Sequence, residues 1–244
     1  MTQEGIIRLL LTSAGVKNTS IRNALLDLLG KPIAEASALC IPTAMYGHPW
    51  VPPEFTWNFI SGREPANPMC DLGWKSVGVL ELTALPSIDK ARWVTRVQET
   101  DVLLVSGGDA AYLYYWMKQS GLADLLPLLS KTVWVGMSAG SMVMTPRIGD
   151  DFVSWKPPAG ISTDGDKTLG VVDFSIFPHL DNPDLLDNKM ANAERWAASM
   201  GLPVYAIDDE TAIKVAGSAD GTADTVEVIS EGHWKRFTPK SGIA

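Results

Sequence analysis

Short apolar runs alternate with helical patterns along most of this chain, and no other feature limits the possible folds as much. Runs typical of buried strands cover residues 6–11, 38–41, 76–82, 102–105 and 133–136. Patterns typical of helices cover residues 19–29, 89–98, 111–117 and, after a break near Gly121, the stretch up to residue 129. Strands connected through helices form right-handed βαβ units and a parallel sheet. The sequence therefore predicts an α/β fold, with a mostly parallel sheet that has helices on both faces.

The C-terminal part of the chain has a different pattern. Its short apolar runs cover residues 204–207, 212–215, 226–229 and 234–237. Turn signals separate these runs, including Asp220-Gly221 and Glu231-Gly232. Turn dipeptides between short apolar runs are typical of hairpins. We therefore predict extra strands near the C-terminus, partly antiparallel, that complete the sheet.

The length of 244 residues fits one domain, and we expect residues 1–244 to form it. The stretch at about residues 42–74 is rich in proline, glycine and aromatic residues, which predicts a long irregular loop. Loops of this length in compact domains are usually functional or are insertions.

Charge and hydropathy argue against two classes of partner. The net charge is −8 and the isoelectric point is near 4.9, whereas a protein that binds nucleic acid presents a basic face. No apolar run approaches the roughly 20 residues that span a bilayer, and the N-terminal segment lacks the basic region of a secretory signal. We expect a cytoplasmic protein that binds neither nucleic acid nor membranes.

The two cysteines, Cys40 and Cys70, belong to no CxxC pair, so the sequence offers no zinc knuckle and no thioredoxin-like motif. Two free thiols in a reducing compartment are favoured over a disulfide between them. We expect neither a metal nor an organic cofactor.

The segment VWVGMSAGSMVM places Ser138 directly after an apolar strand and between glycines. In open α/β sheets, functional sites form at the carboxyl ends of strands. GMSAG fits the G-x-S-x-G pattern, in which small residues allow a sharp turn from strand to helix that exposes the serine side chain. The backbone N–H groups that follow can stabilise a developing oxyanion. The pattern favours a nucleophile over a serine that only occupies a tight turn.

A second glycine turn lies at the end of the strand predicted at residues 102–105. The segment VSGGDAAYL places Gly107 and Gly108 there, on the rim where Ser138 is expected. Their backbone N–H groups could complete an oxyanion hole. No Gly-Lys-Ser/Thr sequence follows, which excludes a P-loop.

A serine nucleophile needs a base, which is usually histidine, and the chain has three histidines. His179 ends an apolar strand-like run in VVDFSIFPHLDN, so a rigid scaffold would hold it at a strand end. His48 lies in the long loop, where nothing fixes it at the rim. His233 follows Glu231-Gly232 and is expected at a hairpin tip, away from the site. We favour His179 as the base.

The acid that orients the base should also follow a strand. In VYAIDDETAI, the run at residues 204–207 leads into Asp208, Asp209 and Glu210. Asp150 and Asp151, after TPRIG, are alternatives. The pattern of residues leaves this choice open.

Together these motifs resemble the peptidase E (dipeptidase E, aspartyl dipeptidase) family of serine peptidases, which has a class I glutamine-amidotransferase-like fold. The matching pieces are LLLTSAG, CIPTA, VSGGDAAYL, VGMSAGSMV, IFPHLDN and AIDDETAI. They occur in the family's order over most of the chain, from about residue 9 to residue 213.

The resemblance implies Ser138 as nucleophile, His179 as base and Asp209 as the acid, with Asp151 as the other position to which the family's acid is assigned. We prefer Asp209 because it closes a strand. The resemblance also implies an oxyanion hole formed by two backbone N–H groups, those of Gly108 and Ala139.

The chain departs from the family pattern in two places. The family's usual Gly-Gly-Asn is Gly-Gly-Asp here, and Asp109 would repel negative charge at the oxyanion unless its side chain turns away or is protonated. Aspartyl-specific members bind the substrate carboxylate through basic residues past the histidine, where this chain has only Lys189 and Arg195. The substrate-binding residues are therefore unassigned. Instead of a basic site, the aromatic residues of the long loop could form an apolar substrate pocket. These residues are Trp50, Phe55, Trp57 and Phe59.

We interpret the sequence as that of a serine peptidase that hydrolyses short peptides through an acyl-enzyme, with a small peptide as its partner. A related variant is a cyanophycinase-like hydrolase. One alternative is an α/β-hydrolase-type esterase that uses Ser138, Asp209 and His233, although the chain lacks an HGGG-type motif. The other alternative is a non-catalytic binding protein with the same fold. Asp109 supports this alternative, because a carboxylate near the oxyanion would oppose catalysis. The sequence carries no signal for an oligomeric state.

Overall fold

The computed structural model describes residues 8–63, 68–217 and 225–239. The strands within these residues are β1 (Arg8–Thr12), β2 (Ser37–Ile41), β3 (Ser76–Val79), β4 (Val102–Val105), β5 (Val133–Met137), β6 (Ser175–Phe177), β7 (Val204–Ile207), β8 (Thr211–Ala216), β9 (Thr225–Ser230) and β10 (Trp234–Phe237). The α-helices are α1 (Thr19–Leu29), α2 (Ala44–Gly47), α3 (Phe55–Ile60), α4 (Val94–Glu99), α5 (Ala110–Ser120), α6 (Leu122–Leu125), α7 (Ala139–Met142) and α8 (Met190–Met200).

Two predicted helices are divided in the structure. A 3-10 turn at Lys90–Arg92 precedes α4, and a 3-10 turn at Leu126–Leu128 follows α6. Positions 6 and 7 of the first predicted strand, and the predicted Asp220-Gly221 turn, lie outside the described residues.

Seven strands form the large sheet, in the order β3-β2-β4-β5-β1-β8-β9. The strands from β3 to β1 are parallel to their neighbours. β8 and β9 continue the sheet beyond β1 in antiparallel pairing. The predicted fold class, a mostly parallel sheet with extra antiparallel strands near the C-terminus, is confirmed.

Helices cover both faces of the large sheet. Successive side chains of each strand point to opposite faces, so a buried strand contributes to an apolar cluster on each face. On β1, Leu9 and Leu11 belong to the apolar cluster that contains Leu113 of α5. Leu10 belongs to the cluster on the other face, which contains Leu25 of α1. Every residue of β4 and β5 is buried, as expected for strands covered on both faces.

A second, smaller sheet has the order β10-β7-β6, with β6 parallel and β10 antiparallel to β7. β9 pairs with β8 in the large sheet. The predicted hairpin at Glu231-Gly232 is therefore wrong: this turn connects strands of two different sheets. A turn signal indicates that the chain reverses, but it does not specify which sheet edge the next strand joins.

The stretch at residues 42–74 is less irregular than predicted, since it contains α2 and α3. Phe59 is buried, while Trp50 and Trp57 are 70% and 60% exposed. Cys40 of β2 and Cys70 of this stretch are both buried and form no disulfide, and their Sγ atoms lie 3.0 Å apart as hydrogen-bond partners. No helix within the described residues is both long enough and apolar enough to cross a bilayer.

Candidate active site

The turn from β5 into α7 carries Ser138 in a conformation that few residues adopt. Its φ is 49° and its ψ is −109°. This backbone conformation is energetically unfavourable for L-residues, and residues that adopt such conformations are often found at functional sites. The flanking glycines have no space for a side chain. A Cβ atom at Gly136 would lie 2.4 Å from the carbonyl oxygen of Gly140, and one at Gly140 would lie 2.4 Å from that of Val105. The small residues of GMSAG are therefore required by the close approach of backbone segments.

The glycine turn after β4 approaches the same point of the rim. Gly108 has a φ of 135°, and a Cβ atom there would lie 2.2 Å from the carbonyl oxygen of Ala44 in α2. Gly107 lies beside Ser138, whose Cβ would be 3.4 Å from a Cβ at Gly107. Over the part of the chain that the structure describes, the N–H groups of Gly108 and Ala139 donate to no backbone carbonyl. These two N–H groups are thus available to a ligand.

Asp109, the residue that departs from the family pattern, is buried, and its carboxylate accepts hydrogen bonds from two other segments. It is 1% exposed and caps α5 by accepting a hydrogen bond from Tyr112 N at 2.7 Å. Its other oxygen accepts from Ser154 Oγ at 2.6 Å and from Trp155 N at 2.7 Å. Asp109 therefore joins the start of α5 to the segment around Trp155.

His179 follows β6 and Pro178, at the carboxyl end of the small sheet. Its φ of 55° is unusual for a residue with a side chain. Its Nδ1 lies 2.6 Å from Asp209 Oδ1. Because an ionised carboxylate only accepts hydrogen bonds, this contact places the proton on Nδ1 and leaves Nε2 free to accept one. The structure brings His179 and Asp209 together as a hydrogen-bonded pair.

Asp209 is held as a carboxylate by its surroundings. Burial on its own would raise its pKa, but the hydrogen bond and charge of His179, with hydrogen bonds from Ser13 and Asn182, outweigh burial and lower the pKa to about 2. Asp151, the other candidate for the acid, lies exposed in a 3-10 turn with Asp150. The structure therefore places Asp209, and not Asp151, against His179.

Ser13 and Asn182 are site residues that the sequence reasoning missed. Ser13 Oγ donates to Asp209 Oδ1 at 2.9 Å and accepts from His179 N at 2.7 Å. Asn182 Nδ2 donates to Asp209 Oδ2 at 2.7 Å. Ser13 directly follows β1, the neighbour of β5, so a polar residue after a central strand in LLLTSAG was the available signal.

We expect Asp209 to stabilise the fold in a pH-dependent manner. Because its pKa falls from the ordinary 3.8 to about 2 on folding, its contribution is present above pH 4 and is lost as the pH falls towards 2, a loss of about 2 kcal/mol at most. The free energy of unfolding of wild type minus that of Asp209→Asn, from urea titrations, should be smaller near pH 3 than at pH 5. A difference that does not change over this range would contradict the assigned interactions.

Ser138 and His179 line one cavity of about 380 Å³, together with Gly107 and Gly108. Over the described residues, Ser138 Oγ has no side-chain hydrogen-bond partner. Hydrogen bonds between a catalytic serine and its base are often long in unliganded sites. The cavity therefore contains a strand-end serine, a histidine that is paired with a carboxylate, and the glycine turn after β4.

The other two histidines occupy different environments. His48 lines the cavity, and its Nδ1 accepts a hydrogen bond from Trp50 N at 3.3 Å, so the expectation that nothing fixes this residue at the rim is wrong. His233 does not line the cavity. Its Nδ1 lies 3.0 Å from Asp208 Oδ2 and its Nε2 lies 3.0 Å from Asp181 Oδ2. His233 thus lies between the two sheets, bound to carboxylates through both ring nitrogens.

No group of three or more His, Cys, Asp or Glu side chains among the described residues is arranged to hold a metal ion. The site consists of a hydroxyl, an imidazole–carboxylate pair and backbone N–H groups.

The sequence model of peptidase family S51 matches residues 9–221. This range covers most of the chain and includes the serine turn, the histidine–carboxylate pair and the glycine turn. The chain belongs to peptidase family S51.

One curated relative, from Listeria monocytogenes, is named an uncharacterized peptidase. It is 23% identical over 125 residues, which cover 50% of this chain and 60% of the relative. The match thus spans about three fifths of that protein's length.

Two crystal structures have the same fold. A candidate peptidase E protein from Listeria monocytogenes superposes with a TM-score of 0.64 at 19% identity, covering 92% of this chain and 100% of that one. A peptidase from an acI-B1 actinobacterium gives a TM-score of 0.63 at 19% identity, covering 99% of this chain and 98% of the other. At these identities, the likeness establishes the fold.

Proposed function

We propose that this protein is a serine peptidase of the peptidase E type that hydrolyses short peptides through an acyl-enzyme. The single observation that carries the proposal is the 2.6 Å contact between His179 Nδ1 and Asp209 Oδ1 at the wall of the cavity that holds Ser138. A histidine with this tautomer has a free Nε2 that can take a proton from a serine hydroxyl.

In the first half of the reaction, Ser138 Oγ attacks the scissile carbonyl carbon while His179 Nε2 takes the hydroxyl proton. The tetrahedral intermediate collapses, the C–N bond breaks, and His179 gives the proton to the leaving amine. In the second half, water attacks the ester in the same way and frees the serine. Asp209 holds the imidazole in its tautomer and stabilises the imidazolium through charge.

The negative charge of the intermediate is stabilised by the N–H groups of Gly108 and Ala139. Both are free of backbone acceptors over the described residues, and both belong to turns whose shape is sterically fixed. Fixed donors of this kind stabilise the transition state without reorganisation. The buried carboxylate of Asp109 does not line the cavity, and both of its oxygens accept hydrogen bonds from other groups.

The esterase alternative is weakened by the contacts of His233, since both of its ring nitrogens lie against carboxylates. The binding-protein alternative loses its main argument, because Asp109 does not line the cavity and its carboxylate binds Tyr112, Ser154 and Trp155. Neither alternative explains why Asp209 receives hydrogen bonds from three different side chains.

The test is intact-mass spectrometry after treatment with a fluorophosphonate, which reacts with activated serines. We expect one adduct on wild type, located on Ser138 by peptide mapping, and none on Ser138→Ala. His179→Asn should lose the adduct while staying folded, because asparagine tolerates positive φ. Ser61→Ala, which removes a serine hydroxyl from an exposed loop position, serves as the control and should react as wild type does. Folded wild type that forms no adduct would contradict the proposal.

A further inference from the structure

The wall of the cavity around Ser138 is mostly apolar and, over the described residues, carries no ionisable lysine, arginine, aspartate or glutamate side chain. Its side chains include Met45, Val51, Phe55, Met142, Phe152 and Leu185. Asn188 is among the few polar lining residues, and its amide donates to the carbonyl oxygen of Pro178 at 2.9 Å. A substrate side chain that enters the cavity thus meets hydrocarbon and thioether groups.

The two basic residues past His179 do not supply a positive charge to the cavity. Neither Lys189 nor Arg195 lines the cavity. Lys189 Nζ lies 3.5 Å from the carbonyl oxygen of Asp181, and Arg195 donates to Asn192 Oδ1. A carboxylate in the cavity would lose its water without gaining a cationic partner, which is strongly unfavourable.

His48 does not replace that cation either. Burial lowers its pKa, and the nearby charge of Asp109 only partly opposes this effect. Its Nδ1 accepts a hydrogen bond from Trp50 N, so the neutral ring carries its proton on Nε2. Near neutral pH, His48 therefore offers a neutral N–H donor, which can bind a peptide carbonyl but does not select a negative charge.

We propose that the substrates are peptides with an apolar side chain, of the size of leucine or methionine, on the acyl side of the scissile bond, and that aspartate is excluded there. This inference rests on the proposed function, since it assigns the specificity of the same site. Burial of an alkyl side chain in an apolar cavity favours substrate binding, whereas burial of an ionised side chain there opposes it.

The test compares two peptidyl diphenyl phosphonates that differ only in the side chain next to phosphorus, isobutyl in one and carboxymethyl in the other. In each reaction Ser138 Oγ forms a bond to phosphorus, the P–O bond to phenol breaks, and the serine proton leaves through His179 to the phenoxide. We expect the isobutyl compound to inactivate the enzyme about 10- to 100-fold faster. Mass spectrometry of the adduct locates the modified residue.

Leu185 and Leu186 offer a matched pair of variants. Leu185 lines the cavity and is 42% exposed, whereas its neighbour Leu186 is 78% exposed and does not line it. Leu185→Arg should raise the ratio of carboxymethyl to isobutyl inactivation rates by about tenfold, because it brings a guanidinium to the cavity. Leu186→Arg adds the same charge outside the cavity and should leave the ratio unchanged.

The outcomes separate the two proposals. Equal rates for the two phosphonates, a faster carboxymethyl compound, or the same shift in both arginine variants would overturn the apolar specificity. The same holds if a simple fluorophosphonate modifies Ser138 but neither peptidyl compound does. If no reagent modifies Ser138 in folded protein, the proposed function fails, and the specificity fails with it.

Discussion

Replacement of Ser138 by alanine is expected to reduce hydrolysis of p-nitrophenyl acetate to the background rate, a loss of at least about 1,000-fold. This ester has a small acyl group, so the measurement does not depend on the preferred peptide side chain. The loss is large because no other group at the site can form the covalent intermediate. The remaining N–H donors can only stabilise attack by water.

The fold should survive this change, since Ser138 Oγ has no side-chain hydrogen-bond partner among the described residues. Alanine can adopt the φ of 49° at about the same energetic cost as serine. Equal midpoints of urea unfolding for wild type and variant would establish this. Activity of Ser138→Ala within tenfold of wild type would refute the acyl-enzyme scheme.

The second large effect is expected at histidine, where two variants distinguish the peptidase scheme from the esterase scheme. His179→Asn should lose at least about 1,000-fold in the rate of p-nitrophenyl acetate hydrolysis, because the serine then has no base. His233→Asn should retain the rate within severalfold, since His233 binds Asp208 and Asp181 and does not line the cavity.

His233→Asn also removes contacts between the two sheets, so its unfolding midpoint should fall even though its rate at moderate temperature is kept. The reverse pattern of rates, with His233 essential and His179 dispensable, would support the esterase arrangement instead.

The sequence was sufficient to predict the elements that carry Ser138, His179 and Asp209, because all three follow apolar runs that form strands. The strands β6 and β7 are parallel neighbours, so the carboxyl ends that carry His179 and Asp209 meet at one edge of the small sheet. Ser138 ends a strand of the large sheet, and no local pattern predicts how the two sheets meet. The proposed roles of the three residues came from the family resemblance and remain to be tested.

Ser13 and Asn182 could not be assigned in this way. Ser13 contacts Asp209 because β8, which follows Asp209, pairs with β1. That pairing joins segments almost two hundred residues apart, and no local pattern contains it. Asn182 contacts Asp209 only because the chain after β6 turns back, with Asp181 at a φ of 57°.

Tertiary contacts decide one feature that was predicted wrongly and one that the sequence left open. The hairpin expected at Glu231-Gly232 followed from a local turn signal, while the edge that β10 joins is decided by the small sheet. For Asp109, the sequence left open whether the carboxylate faces the oxyanion or turns away, and its side chain caps α5 and binds a segment 46 residues later. In both cases a tertiary contact decides the environment of residues whose local sequence was interpreted correctly.

The proposed nucleophile and the proposed base come from different sheets. Ser138 ends a strand of the large sheet, His179 ends a strand of the small one, and Asp209 lies in the connection between the two sheets. Catalytic competence is therefore a property of the assembled pair of sheets. A partly unfolded form with the small sheet detached would keep the serine turn and most of the secondary structure, yet it would be inert. Under the proposed mechanism, hydrolysis therefore begins only in chains whose two sheets are both folded.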